Sequence, residues 1–108
     1  MSNLVIDIEE LKELLSIGHE AVFLLNGKEY IIQPECSEEY DDLVMYQSEP
    51  EFVYLSRVPI QQKEKKIELN GIRHSVGIET VEQLLNQKCL EGKSFLDLIK
   101  QIHVEEIF

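Results

Sequence analysis

The chain has 108 residues, of which 44% are hydrophobic, and its formal net charge at pH 7 is −11. This length and apolar content are typical of a single domain, residues 1–108, with one hydrophobic core, and they argue against intrinsic disorder. No apolar run approaches the roughly 20 residues of a membrane-spanning helix, and the acidic N-terminal segment lacks the basic stretch of a secretory or mitochondrial targeting signal, so we expect a cytoplasmic protein.

The first predicted element is an amphipathic helix from Asp7 to Gly18. Asp7 is a suitable N-cap, and Glu10 follows it at the spacing of a capping box. Gly18 marks the end, because glycine readily adopts the left-handed backbone that closes many helices. The apolar residues of this segment recur at helical spacing and form one stripe: Ile8, Leu11, Leu14 and Leu15.

Residues 20–33 predict a β-hairpin closed at Asn26-Gly27. A two-residue type I′ turn needs positive φ at both central positions, which asparagine and glycine tolerate best. Closure there places Phe23 opposite Tyr30, an aromatic cross-strand pair worth on the order of 0.5 kcal/mol. Both faces of the first strand are apolar, so we expect this strand inside a sheet. We expect Pro34 to end the second strand.

Two β-rich runs, Leu43–Gln47 and Phe52–Ser56, predict a second hairpin that follows an acidic loop, Glu35–Asp41. The polar and basic residues 61–66 then predict a flexible connection.

A third hairpin is predicted around Asn70-Gly71. Closure at that turn places Glu68 opposite Arg73, a favourable pair of opposite charges.

The C-terminal third predicts two helices separated by Gly92. The first begins near residues 79–80. The second begins at Ser94, with Asp97 three residues later as a capping partner. Their apolar residues fall at helical spacing: Val81, Leu84 and Leu85 in the first, and Phe95, Leu98, Ile99 and Ile102 in the second.

Together these elements predict an α+β fold with an N-terminal helix, an antiparallel sheet of about four to six strands built from hairpins, and two C-terminal helices. The tail, residues 103–108, ends in two apolar residues that we expect to dock on the domain. Two copies of the chain could pair through unpaired strand edges or through this tail, so a homodimer stays an open alternative.

Two segments, GHEAVFLLNGKEYII and ETVEQLLNQKCLEGKSFLDLIKQI, resemble parts of small uncharacterised proteins from Gram-positive bacteria and their mobile elements. The resemblance extends over about half of the chain. It implies a compact helix-sheet-helix domain and transfers neither an activity nor functional residues. The hairpin of residues 61–76 has no counterpart in that pattern, which makes it an insertion if the resemblance holds.

The usual signatures of catalytic and metal sites are missing from the sequence. Cys36 and Cys89 lie far apart without metal-binding spacing, so we expect two reduced thiols. The three histidines stand singly, and Gly92-Lys93-Ser94 lacks the upstream glycine of a phosphate-binding loop. The acidic run 38–42 lacks the glycine and the spacing of a calcium loop. We therefore expect no enzymatic activity, no cofactor and no bound metal.

The net excess of negative charge lies in the first half of the chain. Residues 1–54 hold 13 of the 21 acidic residues and two of the ten basic residues, whereas residues 55–108 hold eight of each. Between Glu35 and Glu51 there are seven carboxylates and no Lys or Arg, so a field of one sign is expected there. The candidate partner-binding residues combine these acids with neighbouring aromatic side chains: Tyr40, Asp41, Asp42, Tyr46, Glu49, Glu51, Phe52 and Tyr54.

This pattern favours a non-catalytic protein-binding module whose acidic surface attracts a basic protein. An alternative is an inhibitor, immunity or anti-defence protein that blocks a basic nucleic-acid-binding partner with carboxylates spaced like phosphates. A third interpretation is that the charge only keeps the protein in solution. Direct binding to nucleic acid is disfavoured, because phosphate contacts supply most of the non-specific affinity.

Overall fold

The computed structural model describes residues 7–36, 41–60, 65–68, 71–74 and 76–108. The described elements, in chain order, are α1 (Ile8–Ser16), β1 (Ala21–Leu25), β2 (Lys28–Cys36), β3 (Asp41–Glu49), β4 (Val53–Pro59), β5 (Lys65–Glu68), β6 (Gly71–His74), α2 (Ile78–Leu85) and β7 (His103–Ile107). Of these strands, five form an antiparallel sheet in the order β4-β3-β2-β1-β7, and β5 pairs with β6 in a separate sheet. The α+β class and an antiparallel sheet of five strands are confirmed, whereas the third predicted hairpin does not join that sheet.

Helix α1 forms where its apolar periodicity predicts it. The Asp7 carboxylate accepts a hydrogen bond of 3.4 Å from the Glu9 backbone N–H, which satisfies one of the free donors at the helix start. Gly18 follows the helix with φ of 97°. Leu11 and Leu15 are buried, so the predicted apolar stripe faces the core.

The hairpin of β1 and β2 has the predicted register. Asn26 and Gly27 have φ of 52° and 78°, as a type I′ turn requires. Phe23 faces Tyr30, and the two rings stack with their centroids 5.1 Å apart. Phe95 meets Phe23 edge to face at 5.0 Å. Since β1 pairs with β2 on one side and β7 on the other, it lies inside the sheet as expected.

Pro34 does not end β2, and that prediction is wrong. The strand continues to Cys36, and Pro34 pairs with Leu43 of β3. The pairing of β2 with β1 ends at Ile32, so positions beyond it have a paired strand on one side only. A proline is compatible with such a position because no second ladder needs its missing N–H. The predicted acidic loop is correspondingly shorter, and residues 37–40 lie outside the described residues.

The second predicted hairpin is confirmed as the pair of β3 and β4, both longer than expected. Tyr46 faces Tyr54, and a register shift lies between Met45 and Tyr46. A shift of this kind re-aims the side chains at the end of the hairpin.

The third hairpin also forms, with a register that differs from the prediction. It closes at Glu68 and Gly71, so Lys66 rather than Glu68 lies opposite Arg73. The observed register pairs two β-branched residues, Ile67 and Ile72, an arrangement that sheets favour. Residues 61–64 of the predicted flexible connection, and residues 69–70, lie outside the described part of the chain.

Helix α2 is confirmed, but the second C-terminal helix is not formed. Residues 95–101 make turns instead. The predicted capping pair is present: the Asp97 N–H donates to Ser94 Oγ at 3.0 Å, and the Ser94 N–H donates to Asp97 Oδ2 at 3.0 Å. The Gln101 N–H then bonds to the Leu98 carbonyl, three residues back, at 2.8 Å. The helix does not extend because the chain turns into β7 two residues later.

The tail docks on the domain as strand β7, which the sequence analysis did not predict as a strand. It pairs with β1, with Ala21 opposite Ile107. The Phe108 N–H donates to the Glu20 carbonyl at 2.8 Å, although the Phe108 side chain is exposed. Val104 is buried and supplies the apolar contact of this strand.

The hydrophobic core lies between the sheet and the two helices. Leu11, Phe23, Met45 and Leu84 are fully buried in one cluster, so α1 and α2 cover the same sheet face. Side chains alternate along each strand, which leaves a second face of the sheet opposite the helices. By register, this second face carries Val22, Leu24, Glu29, Ile31, Glu35, Val44, Tyr46, Tyr54 and Arg57.

The Asn26-Gly27 turn is tested by Gly27→Ala. A Cβ at Gly27 meets no atom of the described residues within 4 Å, so the cost arises from φ of +78° alone. We expect the free energy of unfolding, measured by urea denaturation, to fall by about 1 kcal/mol. The exposed helix substitution Glu13→Ala should change it by less than about 0.5 kcal/mol. Equal stability of Gly27→Ala and the wild type would contradict the turn assignment.

The pKa of Asp97 provides a second test. The Lys88 ammonium, 2.7 Å from Oδ2, and the Ser94 N–H and hydroxyl hold this pKa at about 2, below the ordinary 3.8. A lowered carboxyl pKa stabilises the fold above the unfolded pKa, and the effect is lost as pH falls towards 2.

We therefore expect Asp97→Asn to lower the urea midpoint at pH 7, with the difference from wild type narrowing as pH falls below about 4. A difference that stays constant over this range would show that the carboxylate charge does not contribute.

Candidate functional site

Three aromatic side chains meet at the end of the β3–β4 hairpin. The rings of Tyr46, Phe52 and Tyr54, called the ring cluster below, have centroids 4.9, 5.0 and 5.9 Å apart. Cross-strand pairing places Tyr46 beside Tyr54, and Phe52 directly precedes β4. Phe52 is 59% exposed and Tyr54 is 48% exposed. Exposed aromatic rings gathered in one place are typical of a contact surface rather than of a core.

Tyr54 is held by a network of charged side chains on the second face. Its hydroxyl donates to Glu35 Oε2 at 2.6 Å, and the Arg57 guanidinium lies 5.2 Å from its ring centroid. Arg57 also donates to Asp42 Oδ2 at 2.7 Å and to Glu35 Oε1 at 3.2 Å. Strand pairing explains this arrangement, since Glu35 faces Asp42 and Arg57 lies on the next strand opposite Val44.

The network changes the pKa values of the groups that form it. The hydrogen bond from Tyr54, followed by the bond and charge of Arg57, holds the pKa of Glu35 below its ordinary value. The same hydrogen bond raises the pKa of Tyr54. At neutral pH, Glu35 is therefore ionised and Tyr54 keeps its proton, as their hydrogen bond requires.

The environment of Tyr46 shows the sign of the field on this face. Burial raises the pKa of Tyr46, and the negative charges of Glu20, Glu35 and Glu29 raise it further. Three carboxylates are therefore close enough to Tyr46 to disfavour a phenolate. The surroundings of Tyr46 are therefore negatively charged, whereas the Arg57 guanidinium lies against the Tyr54 ring.

The structure brings only part of the predicted site together. Tyr46, Phe52 and Tyr54 form the ring cluster, and Glu49 and Glu51 are exposed beside it. Tyr40 lies outside the described residues.

Two of the predicted acids are not on the surface. Asp41 and Asp42 are only 4% and 7% exposed. Asp41 lies opposite Cys36 near the end of β2, and its carbonyl accepts a 2.9 Å hydrogen bond from the Ile60 N–H. Asp42 bonds to Arg57. The expectation that these two acids contribute to an exposed acidic surface is wrong, because strand pairing draws them into the sheet.

The sequence analysis missed two members of the site, Glu35 and Arg57. Arg57 is the one base between Lys28 and Lys63, and that isolation among acids was a signal of pairing. Its partners depend on the register of three strands, which a local pattern does not supply.

The described residues include few other groups with chemistry of their own. Cys89 is a free thiol, half-buried, with Sγ 3.8 Å from Met45 Sδ, and burial raises its pKa. Within the described ranges, no group of three His, Cys, Asp or Glu residues is placed to hold a metal ion. None of the described helices has the length and apolar character needed to cross a membrane.

Comparison with protein-family models, with curated proteins and with solved structures finds no match to this chain. The resemblance to small Gram-positive proteins therefore stays a prediction. Functional inference depends on the geometry of the ring cluster and its surrounding charges.

The hydrogen bond between Tyr54 and Glu35 is tested by Tyr54→Phe. Removal of the hydroxyl takes away the largest cause of the low Glu35 pKa, so this pKa should rise towards its ordinary 4.5. NMR titration of the Glu35 side-chain carboxyl measures the change directly. Tyr46→Phe is the matched control and should leave the pKa of Glu35 nearly unchanged. An unaltered Glu35 titration in Tyr54→Phe would rule out the bond.

Proposed function

We propose that this protein is a non-catalytic binding module that docks a basic protein onto the ring cluster and the carboxylates around it. The single observation that supports this most is the exposure of Phe52 and Tyr54 beside Tyr46, whose surroundings are negatively charged. Aromatic residues supply much of the energy of protein interfaces, whereas charged residues around them steer association and select partners.

The ring cluster is preorganised for binding. The bonds of Glu35 to Tyr54 and Arg57 hold the Tyr54 ring in place before any partner arrives. A side chain that is already ordered loses less conformational entropy on association than a free one. This supports a contact surface rather than a flexible hairpin end.

A basic protein is a better occupant than a second copy of this chain. Two copies would each bring a net charge of −11 and would repel one another. Glu49 and Glu51 are exposed next to the rings, so lysine or arginine side chains at the edge of a partner would meet them directly.

The narrower hypothesis of a phosphate-mimicking inhibitor needs a row of free carboxylates. Asp42 is buried, and both Asp42 and Glu35 are bonded to Arg57. The described acids therefore favour the general binding module, and the inhibitor hypothesis stays a prediction.

The test compares partner recovery by matched charge variants. The tagged protein is used to capture partners from its native cell, and each partner found with wild type is quantified with the variants. Glu49→Lys with Glu51→Lys should reduce recovery of a basic partner by at least about tenfold. Glu79→Lys with Glu82→Lys, on the exposed side of α2, changes the net charge by the same amount and should not.

Phe52→Ala tests the apolar part of the same surface. Truncation of a central aromatic residue typically weakens an interface by about 2 kcal/mol or more, so recovery should again fall by at least about tenfold. Ile78→Ala, at a similarly exposed apolar residue of α2, is the control. Two results would contradict docking at the ring cluster. One is an equal loss of partner recovery in the two double charge variants, and the other is full partner recovery with Phe52→Ala.

A further inference from the structure

A second feature of the molecule, separate from the ring cluster, is a cleft of about 160 Å³ between two tight turns. One turn is Asn26-Gly27. The other contains Glu91 and Gly92, both with positive φ, and is closed by reciprocal backbone hydrogen bonds between Leu90 and Lys93 of 2.9 and 3.1 Å. Each side of the cleft is therefore a tight turn with a defined backbone conformation.

The floor of the cleft is apolar. Leu25, Leu90 and Leu98 line it and are 5%, 3% and 7% exposed. Tyr30 completes the floor, with its ring stacked on Phe23 at 5.1 Å. A ligand in this cleft would therefore meet a small apolar patch on its inner side and mainly polar atoms around it.

One side-chain hydroxyl, that of Tyr30, belongs to the lining of the cleft. Tyr30 is 6% exposed as a whole residue, and its hydroxyl oxygen is not among the buried, unpartnered polar atoms of the described residues. Burial, with the negative charge of Glu91 as a further cause, raises the pKa of Tyr30, so the hydroxyl keeps its proton. It can donate a hydrogen bond to an acceptor that enters the cleft.

The rim of the cleft is rich in hydrogen-bond donors. Lys28 and Lys93 bring two ammonium groups, and Asn26 and Gln101 bring two amides. Glu91 is the one acid among the described residues that line the cleft, and it lies 3.8 Å from Lys28 Nζ. The lining therefore carries a net positive charge in a chain whose total is −11.

We propose that this cleft binds a small monocarboxylate with an apolar body, comparable to benzoate in size. The apolar body would lie against the leucines and the Tyr30 ring, and the carboxylate would accept from the Tyr30 hydroxyl and the ammonium groups of Lys28 and Lys93. A cavity of about 150 Å³ accommodates benzene, so the volume matches such a body. Inorganic phosphate fits less well, because a strongly hydrated dianion would lose water to hydrocarbon and lie near Glu91.

The test is an NMR titration of the full chain with sodium benzoate. Saturable shift changes are expected at the backbone amides of residues 25–30, 90–93 and 98–101, with a Kd of about 1 mM. Benzyl alcohol, which has the same ring without charge, should bind at least about fivefold more weakly. Inorganic phosphate should give no saturable changes at these amides.

Variants distinguish carboxylate recognition from a merely apolar crevice. Tyr30→Phe keeps the ring and should weaken benzoate binding about fivefold. Lys93→Gln should weaken it about threefold, whereas Glu91→Gln removes a repelling carboxylate and should strengthen it about threefold. Lys12→Gln, on α1, makes the same charge change as Lys93→Gln away from the cleft and should have no effect.

Three outcomes would overturn the proposal. One is the absence of saturable changes with benzoate at these amides. Another is equal binding of benzyl alcohol and benzoate. The third is unchanged benzoate affinity in both Tyr30→Phe and Glu91→Gln. None of these outcomes bears on the ring cluster, which shares no residue with the cleft.

Discussion

The register of the β1–β2 hairpin is the constraint on which the rest of the sheet depends. The left-handed backbone at Asn26 and Gly27 allows a two-residue turn, which fixes Phe23 against Tyr30. A shift of one residue would move every side chain of these strands to the opposite face. On the other side of β2, pairing with β3 brings Glu35 opposite Asp42, and both carboxylates bond to Arg57.

Folding changes what the acidic segment can do. In the sequence, Glu35 to Glu51 is a run of acids without a base, which indicates a uniformly acidic surface. In the structure, one guanidinium bonds to two of these acids and orders a tyrosine beside them. What remains exposed among the described residues is the ring cluster, with Glu49 and Glu51 at its edge. The charged side chains of the segment therefore organise a surface as well as giving it negative charge.

Local signals predicted local structure well. The cap at Asp7, the Asn26-Gly27 turn and the apolar spacing of α2 each involve residues within a few positions of one another, and each feature is present. The failures share a different cause. Pro34 was expected to end β2. The sequence does not show that β2 stops pairing with β1 at Ile32, which leaves Pro34 paired only with β3.

Long-range pairing also explains the errors at the C-terminus and in the site. The spacing from Ser94 onwards is helical and its cap is formed, yet the chain leaves the turn to pair β7 with β1. Arg57 was missed because its partners lie on two other strands. The cleft was missed because it joins two turns that are more than sixty residues apart in the chain. Each of these features depends on which strands become neighbours, and composition and spacing carry little information about that.

The pairing of β7 with β1 joins segments from nearly opposite ends of the described chain. Closing so large a loop is entropically costly and slow, and such contacts form late unless other structure brings the ends together. Strand β1 therefore gains its hydrogen bonds to β7 only when most of the molecule has folded. Amide exchange at β1 should consequently proceed through global opening rather than local fraying, which makes this strand an internal reporter of whole-domain unfolding.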